Sequence, residues 1–260
     1  MSTNTLKIWA IIAMACDHIP YITESLQAQY YDTPWYLMHA FGRITAPVFF
    51  YLLAVGYRRT RDANRYTLRL LVFALISYVP YIRYFEDAMP DKDNFHHLNV
   101  IFTMLVGLLL IRSLHEVRST ALKAVFVALC LIAGYWCDYG LYGLAMILIC
   151  DIARDSRRGT ILGMGAVMMV YVYARASNIF GSDTGPFGYM ELWSVNSRLI
   201  HLTIVLLCQL LPLILIARHR VWFPGRAAEA KPSFLAKWGF YIFYPAHLTV
   251  LLLIRVFLLS

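Results

Sequence analysis

Three stretches of this 260-residue chain set titratable side chains inside otherwise apolar runs. Asp17 and His18 interrupt the run that begins at Leu6. His39 and Arg43 stand one helical turn apart, on one face, in the run after Trp35. Tyr244 and His247 are i,i+3 neighbours in the last run. A carboxylate, a guanidinium and imidazoles together suit proton transfer to and from a reacting group. Histidine changes charge near neutral pH and serves as a general base. A guanidinium or an amide donor such as Asn99 stabilises negative charge that develops on an oxygen. Asp17 and His18, adjacent on a helix, point about 100° apart. Asp17 therefore cannot orient His18 as in a Ser-His-Asp triad. It is expected to pair with Arg43, leaving His18 free to take a proton, with His247 as the second candidate base. His39, Asn99, Asp138, Tyr139 and Tyr244 are expected to line the same site, Asp138 and Tyr139 from the tight turn Asp138-Tyr139-Gly140.

The elements that carry these groups follow from composition. Sixty per cent of the residues are hydrophobic, only 15% are charged, and the mean hydropathy is +0.59. A soluble domain carries about a quarter charged residues, so soluble-enzyme, disordered, collagen-like and disulfide-scaffold classes are excluded. The length suits one membrane domain, 1–260. Apolar runs long enough to cross a bilayer fall at about 6–23, 35–57, 66–84, 98–114, 121–137, 139–153, 161–176, 198–217 and 233–256. The fold class is therefore all-α, a polytopic bundle of about nine transmembrane helices. The sixth and seventh runs are short, and a re-entrant turn near Asp138 is compatible with them. The five cysteines, Cys16, Cys130, Cys137, Cys150 and Cys208, lack zinc or CxxC spacing and read as packing residues. No metal is expected.

Net charge is +8, and its placement points to a membrane rather than to nucleic acid. Most of the 23 basic residues sit in alternate connections, among them Arg58, Arg59, Arg61, Arg65, Arg112, Arg118, Arg154, Arg157, Arg158, Arg218 and Lys231. The opposite connections hold Glu24, Asp32, Glu86, Asp87, Asp91, Asp93, Asp183 and Glu191. The positive-inside rule then puts the N-terminus in the cytoplasm and the C-terminus outside.

Depth brings the reactive groups together. Asp17 and His18 lie roughly 15 Å from Lys7 along a helix. Arg43 lies about 12 Å in from Trp35, hence about 18 Å above the inner face of a ~30 Å core. His247 lies about 20 Å above Phe234. Ionisable groups at membrane depth are functional suspects, and three helices presenting them in one layer point to a single site. Taken singly, each histidine also suits plain interhelical hydrogen bonding, worth about 1 kcal/mol. The run Gly56-Tyr57-Arg58-Arg59-Thr60-Arg61-Asp62, with Arg65 and Arg69 beyond it, reads either as ordinary cytoplasmic anchoring or as a phosphate clamp. Arg58, Arg59, Arg65 and Arg69 are its expected members, Arg69 lying deepest in its helix. Gly42, Ala46 and Pro47 read mainly as packing residues, or as a bend.

The sequence resembles the TraX family, membrane proteins whose named member acetylates F-type conjugative pilin. The resemblance runs from about Leu6 to Leu253. It rests on Lys7-Ile8 with Cys16-Asp17-His18-Ile19; Gly42-Arg43-Ile44 with Pro47-Val48-Phe49; and Arg69-Leu70 with Ala74-Leu75-Ile76-Ser77. It continues in Asn99-Val100-Ile101-Phe102-Thr103, Asp138-Tyr139-Gly140 with Gly143, and Phe243-Tyr244-Pro245-Ala246-His247-Leu248. The family also looks distantly similar to the large membrane acyltransferases that decorate sugars. The resemblance implies an acetyl-CoA-dependent N-acetyltransferase in a bacterial inner (cytoplasmic) membrane. The acceptor would be an amine, whether of a peptide, a pilin or a small molecule, reached from the outer side. The polar loop 177–196 departs most from the family pattern, and it stands where an acceptor would meet the protein. Two other readings are a proton-coupled transporter relaying protons through the Asp/Arg/His cluster and a structural subunit of a secretion or conjugation assembly. The transporter reading lacks the inverted repeat common in such folds.

Overall fold

The structure is a computed structural model that describes residues 1–22, 33–85, 97–181, 195–219 and 234–259. The described chain is helical: α1 (Thr3–His18), a 3-10 turn (Ile19–Ile22), α2 (Thr33–Gly42), α3 (Thr45–Arg59), α4 (Ala63–Phe85), α5 (Val100–Glu116), α6 (Thr120–Tyr135), α7 (Gly140–Ile152), α8 (Arg157–Gly181), α9 (Val195–Ala217) and α10 (Phe234–Leu259). Each of the nine apolar runs carries a helix, and the second run carries two. Leu37–Arg59, Ala63–Phe85 and Lys237–Leu258 are long and apolar enough to cross a membrane by length and composition. Residues 182–194 of the polar loop and most of the acidic connections lie outside the described residues.

The starts of three helices follow local chemistry. Ser2 accepts from the Thr5 N–H at 3.1 Å, Ser119 from Leu122 and Asn99 from Ile101. Each such cap contributes about 1 kcal/mol by satisfying an amide that has no partner within its helix. Apolar side chains cover the outside as well as the core. Leu122, Val125, Phe126, Leu129 and Ile132 leave one side of α6 exposed, and Leu68, Leu75 and Val79 do the same on α4. Exposed apolar faces of this kind suit lipid as solvent.

The second apolar run reads in the sequence as one span; in the structure it breaks at Arg43-Ile44. Pro47 is the cause. In a continuous helix its ring would strike the carbonyl four residues earlier, at Arg43, and no N–H would reach that carbonyl. The chain instead tightens, with Arg43 N–H to Ala40 O and Ile44 N–H to Phe41 O, both at 3.2 Å. It restarts at Thr45, so that Pro47 falls in a first turn where a missing N–H costs nothing. Thr45 ties the restart to α1 through a hydrogen bond to the Ala10 carbonyl at 3.2 Å.

A second constraint fixes the turn between α6 and α7. Leu98 donates to Trp136 O at 2.9 Å, and Asp138 donates to Leu98 O at 2.8 Å, so that Leu98 and Cys137 form an isolated parallel bridge. Gly140 closes the turn at φ +47°, a conformation that other residues resist. The pinned turn presents Asp138 and Tyr139 to the space enclosed by α1, α3, α4, α5 and α10.

Candidate active site

A cavity of about 280 Å³ opens at the α2–α3 break. Asp17 and His18 reach it from α1, Arg43 from the break, Asp138 and Tyr139 from the pinned turn, and Tyr244 from α10. α1 and α10, far apart in sequence, meet here. Tyr21, Tyr81, Tyr142 and Tyr171 complete the wall with Phe49, Phe85 and Phe240. The sequence gives no sign of these four tyrosines, because tyrosines near span ends read as interfacial anchors.

His18 and His247 are in direct contact. His18 Nδ1 lies 2.7 Å from His247 Nε2, and the two rings are nearly parallel, 11° apart, with centroids at 5.0 Å. That combination is an in-plane hydrogen bond. The direction of the bond follows from its far end. His247 Nδ1 is 2.8 Å from the Phe243 carbonyl, which can only accept, so Nδ1 carries the hydrogen. With both rings neutral, His247 Nε2 is then an acceptor, and His18 Nδ1–H donates to it. The lone pair of His18 is left on Nε2. His18 lines the cavity; His247 stands behind it, stacked on Phe243 at 4.6 Å. The Tyr84 hydroxyl donates to the His18 carbonyl at 2.6 Å, and Arg255 donates to the Tyr84 carbonyl at 2.6 Å, which anchors the end of α1 to α4 and α10.

Asp17 takes a different partner from the one expected. His39 Nδ1 donates to Asp17 Oδ1 at 3.0 Å. Among the described residues no direct ion pair joins Asp17 to Arg43, although both line the cavity. The break explains this: it turns Arg43 off the helical face that it would share with His39. Asp17 also sits hard against Gly42, where an added Cβ would fall 2.3 Å from the Asp17 Cβ. Gly42→Ala is therefore expected to push α1 and α2 apart at the cavity. We expect a destabilisation of about 1–3 kcal/mol and displacement of Asp17 from His39; a thermal melt of the purified variant matching the original protein would refute the close approach.

Asn99 is fully buried and does not line the cavity. Its oxygen caps α5, and its amide donates to the Ala74 carbonyl of α4 at 2.9 Å. The expected oxyanion donor is thus engaged in joining two helices, and Arg43 is the donor that faces the cavity. His39 likewise stands behind Asp17 rather than in the wall.

The four basic residues expected to act as one clamp are separated. Arg58 donates to the Cys150 and Arg154 carbonyls, closing the C-terminal end of α7. Arg65 is exposed and bridges Asp62 at 2.9 Å. Arg59 ends α3. Arg69 lies apart from them against α10, its guanidinium 5.4 Å from the Tyr66 ring and 5.9 Å from the Trp238 ring, with Nε buried and without a hydrogen bond. Residues adjacent in sequence face different neighbours once the chain turns from α3 into α4.

Comparison with known proteins bears on the whole chain. No solved structure matches it. A protein of Dichelobacter nodosus, named probable fimbrial assembly protein FimC, serogroup H1, is 24% identical over 263 residues, covering 99% of this chain and 97% of that relative. Residues 2–255 match the family described as TraX protein. With nearly the full length matched, the chain belongs to the TraX family.

Proposed function

We propose that the protein is a multi-pass enzyme of the bacterial cytoplasmic membrane, N-terminus in the cytoplasm, that transfers an acetyl group from acetyl-CoA to an acceptor amine. The acceptor class is the N-terminal amine of a pilin-like peptide, in keeping with the family and with the name of the fimbrial relative. One observation carries the reading: the hydrogen-bond chain from the Phe243 carbonyl through His247 leaves the His18 lone pair on Nε2, and His18 and Arg43 line the same cavity. The cavity is too small for a whole donor and suits its reacting end together with an amine.

In the proposed reaction the amine nitrogen bonds to the thioester carbonyl carbon, and its proton passes to His18 Nε2. The carbonyl oxygen gains negative charge facing Arg43. Collapse of the tetrahedral species breaks the C–S bond, and the departing thiolate takes the proton back from His18. The amide and the free thiol leave with no net proton change. His247 accepts from His18 Nδ1–H throughout and stabilises the imidazolium, while Asp17, held by His39, sets the local field. Arg69 suits the donor's phosphates best of the four arginines. It stands against Trp238, about half a turn of α10 before the cavity residue Phe240 and under two turns before Tyr244.

The test is donor binding followed by turnover. Acetyl-CoA should raise the melting temperature of the purified protein, and thiol should be released when a peptide with a free N-terminal amine is added but not with its N-formylated form. Absence of both thermal shift and thiol release would reject the enzyme reading. Proton uptake without acetyl-CoA binding would instead favour the transporter.

A further inference from the structure

At the far ends of α3, α5 and α7 from the cavity, a depression of about 640 Å³ gathers basic groups from separate segments. Arg58 comes from the last turn of α3, Arg61 from the α3–α4 turn, Arg154 from just beyond α7 and His115 from α5. His115 is held in place: its Nε2–H donates to Asp151 Oδ2 at 2.6 Å, and Asp151 is only 3% exposed. Two acids also line the depression, and both have partners. Glu116 is bound by Arg112 at 2.7 Å and by the Tyr57 hydroxyl at 3.0 Å, and Asp155 lies 3.7 Å from Arg154 Nε.

The depression does not continue into the active-site cavity through α3, α5 and α7. Phe50, Leu53, Leu108, Ile111 and Ile147 fill the space between those helices and are almost completely buried. It meets a different feature. A groove of about 390 Å³ runs between α5 and α6, lined by Val106, Leu109, Phe126, Leu129 and Ala133, and ends at Arg112 and Glu116. Glu116 lies in the wall of both. Leu109, Phe126 and Leu129 are 40–54% exposed, so the groove opens on the apolar outer surface.

An apolar channel on a lipid-facing side that ends beside clustered guanidinium groups matches one kind of molecule. We infer that this surface binds an anionic phospholipid, one acyl chain in the α5–α6 groove and the phosphate at Arg61 and Arg154 beside His115. Guanidinium groups bind phosphate oxygens directly, and each basic residue near an anionic membrane surface adds about fivefold in affinity. The chain contributes selectivity of position and the phosphate selectivity of charge. The inference rests on the membrane assignment, not on acetyl transfer.

The test uses the full-length protein purified in detergent and examined by native mass spectrometry with added phosphatidylglycerol or phosphatidylcholine. Phosphatidylglycerol should be retained in preference. Arg61→Ala and Arg154→Ala should each reduce its retention about fivefold without altering phosphatidylcholine adducts. Ala133→Phe, which fills the groove, should reduce retention of both lipids while the melting temperature reports that the variant is folded. Equal retention of the two lipids, or retention unaffected by both arginine variants, would overturn the site. So would displacement of phosphatidylglycerol by soluble pyrophosphate at equal concentration, which would make it a site for soluble phosphates. Alkaline washing of membranes is run alongside. A washed-off protein defeats the membrane assignment itself, whereas a retained protein without lipid preference defeats only the lipid site.

Discussion

His18→Gln should reduce acetyl transfer by about 10²–10⁴-fold, the range that a general base contributes, while acetyl-CoA binding and melting temperature stay close to those of the original protein. Glutamine keeps a polar group of similar length at the cavity wall, but an amide cannot take a proton at neutral pH. His247 separates the roles. His247→Gln still offers an amide oxygen to His18 Nδ1–H and should retain part of the rate. His247→Ala leaves the His18 tautomer uncontrolled and should lose more. Initial rates for the three variants, each with a bound-donor measurement, give an expected order of His247→Gln above His247→Ala above His18→Gln. Near-normal turnover by His18→Gln would remove His18 as the base, and an inverted order would transfer the role to His247.

Arg43→Met should lower kcat by about 10²–10³-fold, the cost of removing one donor aimed at a developing oxyanion. The loss should fall on kcat and not on donor KM, because the charge on the carbonyl oxygen exists only near the transition state. Arg43→Lys keeps the charge on a different reach and should recover a fraction of the rate. A fall confined to KM would make Arg43 a substrate anchor instead, and a melting temperature lowered as far as the rate would make it a structural residue. Asp17 gives the contrasting case. Its carboxylate is bound by His39, so its removal acts on the position of His39 and on the local field rather than on a bond to the reacting oxygen.

The apolar runs, the layer shared by Asp17, His18, Arg43 and His247, and the tight turn at Asp138 were all readable from residue type and rise per residue. Those properties depend on local chain geometry, which sequence carries directly. The break at Arg43 was harder to read. Gly42-Arg43-Ile44 sits inside a run apolar enough for one helix, and only Pro47 four residues on marks the interruption. Its effect passed to the site, since a straight helix would have presented His39 and Arg43 together and given Asp17 the wrong partner. Asn99 shows a second limit: residue type identifies an amide donor, but not that a neighbouring helix has already taken it through the Ala74 carbonyl. The tyrosine wall and the separation of Arg69 from Arg58 are tertiary facts. They depend on which faces of α4, α7, α8 and α10 turn inward, and no local pattern in a chain that is apolar on all sides records that choice.

The bond between His18 and His247 joins residues 229 positions apart, on α1 and α10. A ribosome making this chain releases α1 to the membrane long before α10 exists. Until α10 is inserted and packed against α1 and α4, His18 has no fixed tautomer and the cavity lacks the wall supplied by Phe240 and Tyr244. A chain that stops short of α10 would therefore lack the proposed base geometry. The contact between α1 and α10 thus closes the cavity late in chain growth.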